Sequence, residues 1–545
     1  MWEDLDADMR ADPGIRLKLE EAIDHGTLPP IYNTKRAVVE NANGNPIIPY
    51  HIFIDGVPYS QTDSIIGVWL VNALTHRRHL VCALRKKMLC QCGCRGWCSF
   101  FVIFTYIKFV MGVLEAGVRP LGRHDSQPWN LSEGPLAAKA GEALLYCCVL
   151  IFIKGDWMEY AGTFGFPLWS DALRPCFCCN STVWMLYCID ELSRRNLPWR
   201  SNKVGDYGIA CARAEMNVVV DKFTCELLDS YLVYDKRDHG NHGLCLTRDV
   251  ECLGLCKGDR LEPTDALPNV AGLKAFTSFP VPVVFWRTSR ETMSRHRNPM
   301  LAAELDSDPV DCLTVDTLHA LFLGVVESFS SYVVWFVLLS GMFGTIGTTD
   351  EQLTTAVHVL RCHLNNWFRQ RHAEQPDENL TRPSDFTRSM VGDPTNRVLK
   401  LKGAENWSFL LFLHSLMKEA EVHLPPEAGR LIQAAESLIN MITIFRTSPC
   451  RLSEESIDAC WANYKLFLVL TNHLDDTLIP KRHLVVHMLE KLPVFGNPEG
   501  YSNWYDEHLN KLLKSACRSV SQVTFETSVL QSMAYLLRRA SAPGH

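Results

Sequence analysis

Apolar runs that stop at an acidic residue are the clearest pattern along this chain. One is His51-Ile-Phe-Ile-Asp55-Gly56, and the other is Val149-Leu-Ile-Phe-Ile153-Lys-Gly-Asp156. A short continuous apolar run bounded by turn residues reads as a buried strand, so each run predicts a strand that delivers a carboxylate at its end. After Asp55, the apolar segments Gly67 to Leu74 and His79 to Leu84 flank a polar turn at Thr75 to Arg78 and predict two hairpin-linked strands. Beyond residue 180 the patterning becomes helical, broken by the glycine-rich Asp238 to Gly258 and by Phe279-Pro-Val-Pro282. From 350 to 480 it is almost wholly helical, with polar loops around Glu374 to Asp385. A last amphipathic helix is predicted from near Asn503, with Leu509, Leu512, Leu513, Ala516 and Val520 on one stripe. Glu507 lies near its start, and Asp506, closer to the edge of the stripe, competes with it as a candidate third acid.

These patterns divide the chain into a polar lead-in (1–48), a first sheet segment with both aspartates (49–180), a mainly helical insertion (181–480) and a closing segment (481–545). Two apolar stretches test for membrane spans. Ser99 to Met111 is interrupted by Lys108, and Tyr332 to Phe343 is shorter than the roughly 20 residues a span needs. Both predict buried core helices and no membrane.

Composition narrows the picture further. Of 545 residues, 47% are hydrophobic and 21% charged, an ordinary globular balance with enough chain for a large core. The 21 cysteines are many, yet the acidic start of the chain has no signal-peptide pattern. A reducing compartment is therefore expected, where paired cysteines point to metal before disulfide. The net charge of −7 does not advertise a nucleic-acid binder. Local basic clusters occur at Arg77-Arg78, Arg85-Lys86-Lys87, Arg194-Arg195 with Arg200 and Lys203, and Arg287 to Arg297. A local groove can still hold phosphates, because screening confines each charge's reach to about 10 Å.

Candidate chemistry follows from two ligand sets. Asp55, Asp156 and a distant glutamate, Glu507, supply hard oxygen donors of the kind Mg2+ or Mn2+ prefers, and phosphodiester cleavage is eased by two such ions about 4 Å apart. The C-x2-C pair Cys176 and Cys179 and the H-x3-H pair His483 and His487 have the spacing of two zinc half-sites. Cys178 is a possible substitute ligand. A tighter group, Cys90, Cys92, Cys94 and Cys98, is a candidate second metal site. No G-x4-G-K-[ST] loop and no G-x-S-x-G elbow is present, which argues against a P-loop enzyme and a serine hydrolase.

Three strings carry a family resemblance. They are Gly155-Asp156 followed by Arg174-Pro-Cys-Phe-Cys-Cys179, then Asp316-Thr-Leu-His319 through Gly324, then His483 to His487 leading to Tyr505-Asp-Glu507-His-Leu-Asn510. In this order the chain resembles the DDE transposases of the CACTA type, related to the V(D)J recombinase core. The resemblance spans roughly residues 50 to 520. It implies an α/β fold, an RNase H-like mixed-sheet core interrupted by a large, mainly α-helical insertion. It also implies that Asp55, Asp156 and Glu507 bind catalytic Mg2+ or Mn2+, favouring Glu507 over Asp506, and that Cys176, Cys179, His483 and His487 bind structural Zn2+. Asp316 and His319 would be supporting residues. DNA as substrate, a homo-oligomer and a nuclear location follow from the same resemblance. The chain departs from the family in the short stretch before Asp55, which carries no recognisable DNA-binding domain. Two alternatives are a domesticated protein that keeps the fold and zinc but cuts nothing, and a cysteine-rich membrane or structural protein.

Overall fold

The first apolar run forms β1 (Ile47–Pro58), and the two segments after it form β2 (Ser64–Asn72) and β3 (Arg78–Arg85). The second acid-terminated run is β4 (Cys147–Lys154). They make one mixed sheet in the order β3-β2-β1-β4, with β1 antiparallel to β2, β2 antiparallel to β3, and β1 parallel to β4. A parallel bridge between Ile153 and Leu313 extends pairing past β4. The computed structural model describes residues 2–41, 46–90, 96–170, 175–190, 192–202, 312–343, 349–474, 479–504 and 506–540. The protein is mixed α/β, a four-stranded mixed sheet with many helices.

Side chains alternate across a strand, so His51, Phe53 and Asp55 share one face of β1. Phe53 packs there with Trp69 and Val71 of β2 and with Leu509, Leu513 and Ala516 of the helix Glu507–Ser519. Each such side chain, fully buried, contributes about 1.5–3 kcal/mol. The helix comes close because Gly67, opposite Asp55 in register, has no side chain: a Cβ there would meet Leu513 Cδ2 at 2.9 Å. The helix begins at Glu507, later than the sequence pattern predicts, and the predicted stripe holds: Leu509, Leu513 and Ala516 are buried, while Leu512 and Val520 are partly buried. Between β3 and β4 runs the helix Trp97–Ala116, which packs against β4.

Contacts divide the chain into two compact units. One holds the described residues of Met1–Val183, Trp199–Thr314 and Asn503–His545, and the other Trp184–Pro198 and Val315–Ser502. The second is helical: Glu327–Leu339, Asp350–Glu374, Gly403–Glu419, Ala428–Thr447, Glu454–Thr471 and Ile479–Phe495. Its helix starts follow local chemistry, with Thr349 and Gln352 forming a capping box and Ser453 accepting from the Ser456 N–H. The His483 and His487 pair therefore belongs to this unit's last long helix, with the boundary at residue 502 in place of the predicted 480.

The apolar helix at Tyr332 is longer than its sequence pattern predicts. It continues back through a π-helix, Leu318–Val326, so Leu318–Leu339 is 22 residues of mean hydropathy 1.8, long enough to cross a membrane. Burial carries the core reading there, since 72% of that stretch is inside the protein. Ser99–Ala116 also has the length and apolarity, at 39% burial. The segments Asp238 to Gly258, Phe279 to Pro282 and Arg287 to Arg297 lie outside the described residues.

Candidate functional site

Asp55 is held by the sheet and by the helix above it. Its Oδ1 accepts the Gly56 N–H at 2.7 Å and its Oδ2 accepts Nδ2 of Asn510 at 2.5 Å. Burial, then the charge of Asp156, push the Asp55 carboxyl up to about 7, with Glu507 adding to the rise against the Asn510 and Gly56 hydrogen bonds. Three acids that are far apart in sequence thus act on one another electrostatically. Asp156 sits just past β4 and caps the helix Trp157–Phe164, accepting the Glu159 N–H at 2.6 Å. Glu507 is the first residue of its helix and half-buried, where the positive end of the helix dipole favours a carboxylate.

The competing acid has a different environment. Asp506 is buried against the Lys154 ammonium and lies 3.8 Å from Nε2 of His51. Burial would raise its pKa, but Lys154 and His51 outweigh that and hold the carboxyl well below the usual range. The same surroundings, burial first and then Lys154, lower His51 to about 4. Asp506 is matched by a buried cation, and Glu507 is the neighbour whose charge bears on Asp55.

Sequence reasoning missed Glu159. It is 6% exposed, and burial together with Asp55 and Asp156 raises it to about 8, with Lys86 opposing. A Cβ on Gly56 would meet Glu159 Oε2 at 3.0 Å and Lys86 Nζ at 3.2 Å, so both groups lie at the Asp55 end of β1. The available signal was the Asp156-x-x-Glu159 spacing, which reads as a capping box.

Of the four predicted zinc ligands, Cys176 and Cys179 belong to one compact unit and His483 and His487 to the other. All four residues are buried, and donors of these types could bind a metal ion. Cys176 Sγ accepts the Cys178 N–H and Cys179 Sγ accepts the Ser181 N–H, each at 3.3 Å. The two imidazole Nε2 atoms are 3.0 Å apart, near the roughly 3.3 Å expected of two nitrogens on one tetrahedral zinc with bonds of about 2.0 Å. Burial, then His487, keep His483 neutral, the form that ligates. Nδ1 of His487 is 2.7 Å from Glu490, the outer carboxylate that commonly orients a ligating histidine. Cys178 is half-buried.

The remaining candidates divide. Asp316 accepts the N–H groups of Leu318 and His319, at 3.0 and 3.2 Å, and pairs with the His319 ring at the start of the π-helix. Cys92 and Cys94 lie outside the described residues, as does the Cys98 side chain. Several basic side chains are committed locally: Arg85 pairs with Glu526, Lys87 with Asp63, and Arg194 with Glu454 and Asp458. No family model, curated protein or solved structure matches this chain.

Proposed function

We propose that this chain is a DDE transposase-type protein with an RNase H-like core, cutting and joining DNA with Asp55, Asp156 and Glu507 as the catalytic acids. The observation that carries the reading is the raised Asp55, whose ionisation is opposed by both Asp156 and Glu507. The strand order, with one antiparallel β1–β2–β3 meander and a parallel β4, supports the same core.

Hard carboxylate oxygens fit Mg2+ or Mn2+, which when bound would stabilise the charge that builds on the attacking and leaving oxygens. In the reaction, water or a 3′-hydroxyl attacks phosphorus while the bond to the leaving 3′-oxygen breaks. Asn510 and the Gly56 N–H orient the Asp55 carboxylate, and the helix start orients Asp156. Zn2+ fits the thiol and imidazole donors of the Cys176, Cys179, His483 and His487 cluster. A nuclear, homo-oligomeric DNA-binding protein follows from this reading.

The test is Mn2+-dependent nicking of duplex DNA by the parent and by Asp156→Ala, with zinc content checked in both. Activity in the parent and a loss of about 10³-fold or more in the variant supports the reading. Equal activity in both, or none in either, removes it. A second reading, a domesticated binding protein that cuts nothing, is favoured by the basic side chains already committed to ion pairs.

A further inference from the structure

Asn510 brings two polar atoms to the acid site, and only one of them is used. It stands one turn past Glu507 on the helix Glu507–Ser519, so the two side chains share a face. Asp55, Asp156, Glu507 and Asn510 all belong to one compact unit. The three acids are half-buried and open to solvent, whereas Asn510 is only 8% exposed. Its Nδ2 donates to Asp55 Oδ2 at 2.5 Å. Its Oδ1 is buried and has no hydrogen-bond partner among the described residues.

The neighbour fixes which way the amide faces. An ionised carboxylate only accepts, so the nitrogen must face Asp55 and the oxygen must lie on the other side of the amide. The backbone beneath is firmly placed, because Leu509 and Leu513, on either side of Asn510, are buried against the sheet. A buried acceptor left unpaired costs free energy comparable to a lost hydrogen bond, and in a native protein it calls for an explanation such as an ion or a water.

The surroundings favour the ion. Amide oxygens are ordinary ligands of hard divalent cations. A neutral oxygen also adds a donor without adding to the repulsion among the acids, and the charges of Asp156 and Glu507 already bear on Asp55.

We propose that Asn510 Oδ1 is a ligand of the divalent ion held by Asp55, which makes Asn510 a fourth metal-binding residue of the acid site as well as a support for Asp55. The inference rests on the metal-ion reading of that site given above. One amide then does two things: its N–H orients the carboxylate, and its oxygen completes the ion's coordination.

Titration of the zinc-supplemented full chain with Mn2+ at one fixed pH, with free Mn2+ read by electron paramagnetic resonance, tests this without DNA cleavage. Affinity is expected to fall about tenfold or more in Asn510→Ala, a change of about 1.4 kcal/mol. It should recover in Asn510→Asp, which keeps an oxygen ligand but cannot donate to an ionised Asp55. Equal affinity in the parent and Asn510→Ala, as for an oxygen that meets only a water, overturns the proposal. So does a loss in Asn510→Asp as large as in Asn510→Ala, since the amide would then serve only to orient Asp55. Asp55→Ala separates the two levels. If the parent binds no Mn2+, or Asp55→Ala binds it as well as the parent, the acid-site reading itself fails; a loss in Asp55→Ala with none in Asn510→Ala sinks only the role of Asn510. Asn510→Ala removes the unpaired acceptor and keeps the helix, so it folds, which a thermal melt verifies.

Discussion

The acid site and the two zinc-type pairs, Cys176 with Cys179 and His483 with His487, differ in what holds their side chains. In the pairs the sulfurs accept backbone N–H groups, the two imidazole Nε2 atoms are 3.0 Å apart, and burial keeps His483 neutral. In the acid site each carboxylate also serves its own element. Asp55 accepts from Asn510, Asp156 caps a helix, and Glu507 begins one. Burial first, and then their like charges, raise Asp55 and Glu159. Neutral and soft ligands can be preformed by packing alone, whereas clustered carboxylates repel one another until protons or cations offset them.

Four experiments break or sharpen that contrast. The largest effect is expected from Cys179→Ser. It should abolish stoichiometric zinc, measured by atomic emission, and destabilise the parent's zinc-loaded form by about 5 kcal/mol or more, since structural zinc contributes folding energy directly. A zinc content unchanged by this substitution removes the cluster from consideration as a metal site.

Next is Lys154→Met, which leaves Asp506 buried without its cation. Loss of about 3–5 kcal/mol is expected in urea unfolding at pH 7, because an uncompensated buried charge is costly. The loss should shrink at acid pH once Asp506 can protonate. A pH-independent loss would show that packing, not charge, is what Lys154 supplies.

Glu490→Gln should keep the fold and weaken zinc by about 10–100-fold in a competition with a chelating dye, as for other partners of ligating histidines. No change would mean that His487 is oriented by packing alone.

The smallest expected effect has the opposite sign. Asp55 and Glu159 titrate near 7 and 8 in the folded protein, against about 4 when unfolded. Between pH 4 and 8 the folded state holds protons that the unfolded state has released, so stability falls as pH rises through that window. Asp55→Asn should therefore stabilise the protein by about 1–3 kcal/mol at pH 8 and hardly at all at pH 4, by urea unfolding at each pH. Destabilisation at pH 8 would mean that the ionised Asp55 is held by more than the repulsion described here.

How much was legible beforehand varies with the range of the interactions. The strands β1 to β4 follow from local apolar runs, and the stripe Leu509, Leu513 and Ala516 from helical period, because a period of two or 3.6 is written into neighbouring residues. The helix expected to close the chain starts at Glu507 and is not the last, since Phe525–Ala540 follows it; Asp506, just before it, meets Lys154 and His51 in space, which no local pattern shows. The length of the Leu318–Leu339 helix was hidden because Glu327, Ser328, Ser330 and Ser331 interrupt the apolar run between its π-helical start and Tyr332.

By itself, then, the sequence determined where the four strands lie and which residue types could grip metal, since an apolar run or a spacing such as C-x2-C or H-x3-H is a property of nearby residues. Only the tertiary structure decided that Asp506 is paired with Lys154 and that Glu159 joins Asp55 and Asp156. The physical reason is that burial and charge act through space. A side chain's pKa and ligand partners depend on neighbours hundreds of residues away in the chain, which no local pattern encodes.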